Sequence, residues 1–450
     1  LQEFADCQQR VNASRLLIWR AAVRWLFLCT VLALPVGTAS ALFLAVLNRV
    51  TEAFGTKPWL LWLLPLLGAV TAYVYRRWGG PARQGMTLIL DEVTAPKQPI
   101  PLRMTFLSAW GTLMTLLGGG SAGIEATGVQ MAAGLADPIG RRLKVTPAER
   151  PILLTGAVAA GFGSIFGTPV AGAIFAVEIM RQGAPRYAAL LPSLLCSVLA
   201  ERVTTQLWGV PRHAYSYTPL PPMEAGLWFK VVIASIALGL VARLFVASVH
   251  TVRTLARRSV ANPVLKPVVG GAIVIGLTLL AGTTAYNGLG MAAIDKALQG
   301  GDVPLLAPLL KIVFTAVTIG FGFVGGEVTP LFFVGATAGS VLGALLGLPA
   351  DMMAKLGFVA LLAGGTNAPL TGIMLGMELF GSGTPVYPAT ACILAYVFSG
   401  PRGIYSPTRE RPEERAPLLQ LLDAMLRPAG PAGSDRVGGG DDLQAGMGKA

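Results

Sequence analysis

The sequence predicts an all-α polytopic membrane protein made of two homologous halves, with short broken helices meeting at the middle of the membrane. Three observations predict this. First, only 13% of the 450 residues are charged and 53% are hydrophobic, whereas a soluble globular chain carries roughly 25% charged residues. Second, several apolar stretches exceed the roughly 20 residues that cross a bilayer core and carry Gly-Thr-Pro or Asn-Ala-Pro in their middle. Third, the chain repeats itself about 200 residues on.

Apolar segments run over 22–47, 59–75, 104–119, 151–179, 187–208, 227–249, 263–283, 304–325, 328–349, 356–379 and 385–399. The longer ones read as two helices with a break at depth. Irregular backbone survives there only where it lines a cavity or is buried in protein. The first stretch is too long and too arginine-flanked to be a cleaved signal peptide. The chain starts at Leu1 rather than Met, so its true N-terminus is expected to lie upstream. Residues 408–450 are rich in Gly and Asp. They are expected to form a largely disordered cytoplasmic tail, with room for a short amphipathic helix around 417–426. No second soluble domain is expected.

The repeat sets the domain plan. "TPVAGAIFAVE" (168–178) matches "APLTGIMLGME" (368–378), so that Pro169, Gly172 and Glu178 recur as Pro369, Gly372 and Glu378. "GIEAT" (123–127) matches "GGEVT" (325–329), pairing Glu125 with Glu327. Two elements in one order at nearly one offset divide the chain into a first half, 1–210, a linker, 211–224, and a second half, 225–407. Charges after the first-half elements are basic: Arg141, Arg142, Lys144, Arg181 and Arg186. After the second-half elements stand only Asp351, Lys355 and uncharged sequence. The positive-inside bias then gives the halves opposite orientations. Inverted repeats of this kind place their binding site at the midplane, between half-helix N-termini.

The net charge is +12. Its basic residues cluster at segment ends, as in Arg76–Arg77 and Arg253, Arg257 and Arg258, a pattern of anchors on anionic lipid that argues against a nucleic-acid partner. Cys7, Cys29, Cys196 and Cys392 form no CxxC pair, and His213 and His250 are the only histidines. A zinc site, a disulfide frame and a Ser-His-Asp triad are therefore unsupported, and no cofactor is expected. An intramembrane enzyme would need a polar catalytic cluster. The one adjacent acidic pair before the tail, Asp91–Glu92, stands unaccompanied in the sequence.

Three segments start helices at depth: "GMTLIL" at Gly85, "GIEATGVQMAAGLA" near Gly123 and "GGEVTPLFFVGATAG" near Gly325. A helix N-terminus offers unpaired N–H groups and the positive end of its dipole, and so suits an anion. These segments contain no Lys or Arg, which makes backbone N–H groups the expected anion ligands. Glu125 at such an end would compete with an anion for the same donors and could leave when protonated. That competition couples proton movement to anion movement. The plainer reading is a cap bonded to its own backbone. The functional one is preferred, because ionisable residues inside a membrane are rare and functional.

Glu327 has three readings: proton path, anion path or cap. Glu178 and Glu378 are expected at helix ends, as caps or interhelix bonds. Pro330 fits a first turn. Gly335, Gly339, Gly343 and Gly347 make a small-residue stripe for close packing. Phe332 and Phe333 read first as packing, and second as aromatic edges facing an anion.

At these residues the chain resembles the CLC family of chloride channels and proton-coupled anion antiporters. The family's GREGP resembles "GIEAT", with Glu125 at the gating glutamate. Its NAPLAG…E is similar to "GTPVAGAIFAVE", its GxFxP stands where "GGEVTP" lies, and its late tyrosine matches Tyr405 in "GIYSP". The resemblance covers about residues 15–410.

The departures point to one branch. Met86 in "QGMTLILDE" replaces the family's anion-binding serine, Ile124 and Ala126 replace Arg and Gly of GREG, and Ile179 stands where the internal glutamate would be. These replacements resemble the fluoride branch, whose members exchange fluoride for protons and protect bacteria from fluoride. The resemblance implies a multi-pass homodimer of the inner (plasma) membrane. Glu125 would be its gate and proton carrier, and Glu327 the second carboxylate. Met86, Val328, Thr329, Tyr405 and Phe333 would lie along the anion path. A chloride/proton antiporter or a passive anion channel of the same fold is the alternative. The fluoride preference is what the resemblance implies for Met86.

Overall fold

A break near the middle of an apolar run decides most of this architecture. A computed structural model describes residues 2–180, 187–211, 222, 224–381 and 385–405, with side chains from Trp19 onward. The expected tail, most of the linker with His213, and Arg181 and Arg186 fall outside them. Sixteen α-helices occur among the described residues. In the first half these are α1 (Gln2–Thr56), α2 (Leu64–Trp78), α3 (Met86–Thr94), α4 (Arg103–Leu117), α5 (Glu125–Arg142), α6 (Arg150–Phe166), α7 (Pro169–Met180) and α8 (Leu190–Arg202). In the second half they are α9 (Ala225–Ser259), α10 (Leu265–Ala281), α11 (Met291–Leu298), α12 (Ala307–Gly320), α13 (Val328–Leu346), α14 (Ala350–Thr366), α15 (Pro369–Phe380) and α16 (Val386–Phe398). Each helix of the first half has its counterpart eight places on.

The breaks fall where the sequence places them. α6 ends at Gly167 in the left-handed region and α7 starts on Pro169. α14 ends at Asn367, also left-handed, and α15 starts on Pro369. Pro suits the first turn of a helix and cannot continue the one before it. Five helical stretches among the described residues are long and apolar enough to cross a membrane, while α6, α7, α10, α12, α15 and α16 are shorter apolar helices. Two elements differ from expectation. α1 continues well past both ends of the 22–47 run, through an internal Pro35, which neighbouring helices make tolerable in a membrane. The eight-residue α11 is too short to give a periodic signal.

The main contacts between the halves join equivalent helices: α2 with α10, α5 with α13, and α7 with α15. An element that meets its own copy is what a two-fold relation between halves requires. The carboxylates at the repeat ends follow the same relation. Glu178 at the end of α7 accepts from Leu370 N (2.9 Å), Thr371 N (2.8 Å) and Thr371 Oγ1 (2.6 Å) at the start of α15. Glu378 at the end of α15 accepts from Val170 N (3.2 Å) and Ala171 N (2.9 Å) at the start of α7. Each half caps the other, and the orphan N–H groups of both helix starts are satisfied.

Within each half the packing is close. Gly335 and Gly339 of α13 lie against the backbone at Gly357 and Met353 of α14, so the small-residue stripe is an interhelix seam. Arg150 at the start of α6 holds buried Glu92 of α3 (2.9 Å) and buried Asp137 of α5 (2.6 Å). Glu92 is therefore not unaccompanied. It also accepts from Lys97 N and Gln98 N, and Asp137 accepts from Ile100 N. The cluster clamps the far ends of the two helices whose N-termini point inward. Cys29 of α1 and Cys196 of α8, remote in sequence, meet as free thiols.

Glu178→Ala would strand two helix-start N–H groups and one hydroxyl. A loss of about 2–4 kcal/mol is expected, read as an earlier unfolding midpoint in mixed detergent–denaturant titration. An unchanged midpoint would show that the reciprocal caps carry no stability.

Candidate functional site

The site begins where two glycine-rich loops run antiparallel. The backbone from Gly118 to Ile124 leads into α5, and that from Phe321 to Glu327 leads into α13. Gly123 N donates to Gly326 O at 2.6 Å and Gly326 N donates to Gly123 O at 2.8 Å. This is the only bridge of its kind among the described residues, and it joins the two copies of the repeated motif. The first loop is held from α12, where Thr318 Oγ1 accepts from Ser121 N (3.1 Å) and Thr315 Oγ1 pairs with Ser121 Oγ (2.9 Å). It is also held from the α10–α11 loop, where Asn287 Nδ2 donates to Gly119 O (2.9 Å).

Glu125 is the first residue of α5 and is 1% exposed. Its side chain crosses to the other half, where the Thr329 hydroxyl in the first turn of α13 donates to its Oε1. The second oxygen, Oε2, is buried without a partner. Glycine makes the space for it. A Cβ on Gly326 would stand 3.0 Å from Oε2, and one on Gly123 would strike the same oxygen and stand 2.9 Å from Thr329 N. A buried carboxylate with an unmatched oxygen is held at a cost of several kcal/mol, offset in part by the positive end of α13.

The other candidates lie on several elements. Val328 and Thr329 open α13, both buried. Met86 opens α3, half-buried. Tyr405 lies within electrostatic range of both Glu125 and Glu327 and meets the Phe175 ring edge-on at 6.3 Å. Phe332 belongs to the rings that lead toward it: Phe332 meets Phe166 at 5.5 Å, Phe166 meets Phe162 at 4.7 Å, and Phe162 meets Phe175 at 4.4 Å. Phe333 points elsewhere. Its ring lies under Lys311 Nζ at 5.0 Å and beside Tyr286 at 6.3 Å. Ile179, at the internal-glutamate position, is buried among apolar side chains.

Glu327 makes no side-chain cap bond to α13. Its Oε1 accepts from Arg253 Nη2 of α9 at 3.1 Å, so Arg253 turns toward the second motif. A cation thus reaches the motif from another helix. Lys311 of α12 is a second unforeseen one, wholly buried with its Nζ on Tyr286 O (3.1 Å) and Gly288 O (2.8 Å). Arg253 stands in sequence with Arg257 and Arg258, but Lys311 carries a readable signal, a lone charge within an apolar run. It is the signal that singled out Glu125.

Paired motif loops, broken helices and a carboxylate on a helix N-terminus define an inverted-repeat membrane protein that moves anions and protons. The chain belongs to the voltage gated chloride channel (CLC) family, whose pattern it matches over residues 67–400. It is 40% identical over 395 residues to the chloride/fluoride channel protein of Pseudomonas syringae pv. tomato, with 86% of each chain covered. It is 26% identical over 372 residues to the voltage-gated ClC-type chloride channel ClcB of Salmonella typhi, covering 78% of this chain and 87% of that one. The crystal structure of a CLC-type fluoride/proton antiporter matches with a TM-score of 0.82 at 29% identity, over 85% of this chain and 97% of the other. A slow cyanobacterial Cl−/H+ antiporter, 20% identical, shares the fold with a TM-score of 0.73 over 85% of this chain and 96% of its own.

Gly123→Ala is expected to expel the Glu125 carboxylate from Thr329. A structure of the variant would show the carboxylate turned away from α13. A carboxylate still seated on Thr329 would show that the glycine pair does not make its space.

Proposed function

We propose that this protein exchanges fluoride for protons across the cell's inner membrane, with Glu125 as both gate and proton carrier. One observation carries the proposal: the Glu125 carboxylate occupies the N-terminus of α13, seated on the Thr329 hydroxyl. That is where a small free anion would find a hydroxyl, the first N–H groups of the helix and its positive end. The carboxylate and the anion exclude one another. Protonation removes the negative charge that favours the seat, the neutral side chain swings out with its proton, and the anion takes the vacated donors. When the anion leaves, the deprotonated side chain returns. Proton influx thereby drives anion export, which protects a cell from fluoride.

Val328, Thr329, Tyr405 and Met86 line the proposed path. Of the two adjacent rings, Phe332 is the one whose neighbours lead to Tyr405, whereas Phe333 lies against Lys311. Fluoride rather than chloride is favoured by Met86 at the position of the family's serine, by the "GGEVTP" form of the second motif, and by relatives whose names include fluoride. With no glutamate at Ile179, Glu327 is the second carboxylate of the proposed route. The proposal includes a homodimer, as the family resemblance implies.

Reconstitution into proteoliposomes tests this reading. A fluoride gradient is expected to drive proton movement in the wild type, and Glu125→Gln is expected to abolish it. Coupling that survives in Glu125→Gln would overturn the gate. Equal fluoride and chloride rates in one preparation would replace the fluoride reading with a chloride/proton antiporter. Anion flux without any proton movement in the wild type would leave a passive channel.

A further inference from the structure

The start of α1 carries an open cleft that the exchange just described does not use. Trp19, Arg20, Val23, Arg24 and Phe27 line it. Helix spacing explains its form. Trp19, Val23 and Phe27 follow one another at four residues and climb one side of the helix, while Arg20 and Arg24 climb the strip beside it. The two arginines stand about 6 Å apart along the axis. All five side chains are exposed, so both strips face away from the core.

An apolar strip on a membrane helix meets lipid as a matter of course. The arginines set this place apart. Arg20 has no ion-pair partner among the described residues. Arg24 gives Nη2 to Glu149 at 2.9 Å, which leaves further donors of a five-donor group. The same ion pair shows which membrane surface this is. Glu149 stands just before α6, and the end of α5 and the loop between them carry exposed Arg141, Arg142 and Lys144. The positive-inside bias puts that loop at the cytoplasmic surface, whose anionic lipids are drawn to basic residues.

We propose that this cleft binds one anionic phospholipid of the cytoplasmic leaflet. The phosphate bridges Arg20 and Arg24, the Trp19 ring sits at headgroup level, and an acyl chain runs along Val23 and Phe27 toward the middle of the membrane. A phosphodiester suits the pair because each guanidinium presents a planar fork of donors to its oxygens. A zwitterionic lipid offers the same phosphate with its charge cancelled by its own ammonium group. The bound phosphate also acts beyond α1. Glu149 accepts from Thr146 N and Thr146 Oγ1, both at 2.9 Å, and Thr146 Oγ1 accepts from Glu149 N at 3.3 Å. This is the reciprocal pair of a capping box at the head of α6. The next residue, Arg150, holds Glu92 of α3 and Asp137 of α5. A lipid that fixes Arg24 therefore steadies α1 against the head of α6. None of these residues lies on the proposed anion path, so the site does not rest on the transport reading.

The competing account is a diffuse attraction in which every basic residue of this surface counts alike. Native mass spectrometry of the purified full chain, with thermal unfolding alongside, separates the two. Each is measured with phosphatidylglycerol, phosphatidylcholine and inorganic phosphate, for wild type, Arg20→Gln and, as a control outside the cleft, Arg142→Gln. Both arginines are exposed, so neither change endangers the fold. Wild type is expected to retain one phosphatidylglycerol per chain and to unfold at a higher temperature with it than with phosphatidylcholine. Arg20→Gln is expected to bind phosphatidylglycerol about tenfold more weakly and to lose that gain, while Arg142→Gln behaves as wild type. Equal losses in the two variants would replace the site with diffuse attraction. Equal retention of the two lipids by wild type would overturn the anionic headgroup. A gain in unfolding temperature produced as fully by inorganic phosphate would overturn the lipid.

Discussion

Everything in this protein depends on two glycines of different halves lying back to back. The Gly123–Gly326 hydrogen bonds bring the starts of α5 and α13 together, and the absence of a Cβ at either residue leaves room for one carboxylate. A helix start buried inside a membrane has N–H groups that no water can satisfy. Here a carboxylate comes from the opposite half: the Thr329 hydroxyl in the first turn of α13 donates to Glu125 of α5. The same solution appears at the second pair of helix starts, where Glu178 and Glu378 exchange places across α7 and α15. An inverted repeat makes this economical, since each carboxylate at the end of one copy faces the start of the other.

The two kinds of cap differ in how completely they are satisfied. Glu178 and Glu378 each have both oxygens bonded. Glu125 has one oxygen on a hydroxyl and the other without a partner. A fully satisfied carboxylate gains nothing by moving, while a half-satisfied one stands close to the balance between staying and leaving. The number of bonds accepted thus separates Glu178 and Glu378 from Glu125, although the three look alike in sequence. The rigid surroundings keep that balance local. Arg150 fixes the far ends of α3 and α5 through Glu92 and Asp137, and Ser121 is tied to α12.

Most of the fold could be read from the chain because its signals are of long range and repeat. Low charge density called for membrane helices. Gly-Thr-Pro and Asn-Ala-Pro called for breaks, and both fall at Thr168 and Ala368 as expected. The repeat identified the paired glutamates and the halves. The direction of side chains was not legible. Sequence placed Glu125 on a helix N-terminus without showing that its carboxylate also reaches the start of α13 in the other half. It put Phe333 rather than Phe332 on the anion path, although adjacent residues on a helix point about 100° apart and Phe332 is the one that turns toward the Tyr405 rings. Arg253 was read with Arg257 and Arg258 as part of a lipid-facing cluster, because sequence proximity says nothing about the partner a helix face meets. Asp137 and Arg150 lie in separate segments from Glu92, so the cluster that makes the acidic pair structural exists only after folding.

The central claim is that an anion and the ionised Glu125 cannot share the start of α13. Calorimetric titration of fluoride into the wild-type protein, repeated at one near-neutral pH in buffers of different ionisation enthalpy, measures this directly. The account predicts that anion binding takes up protons from the buffer, so that the observed heat changes with the buffer's ionisation enthalpy. Fluoride binding with the same heat in every buffer would contradict it.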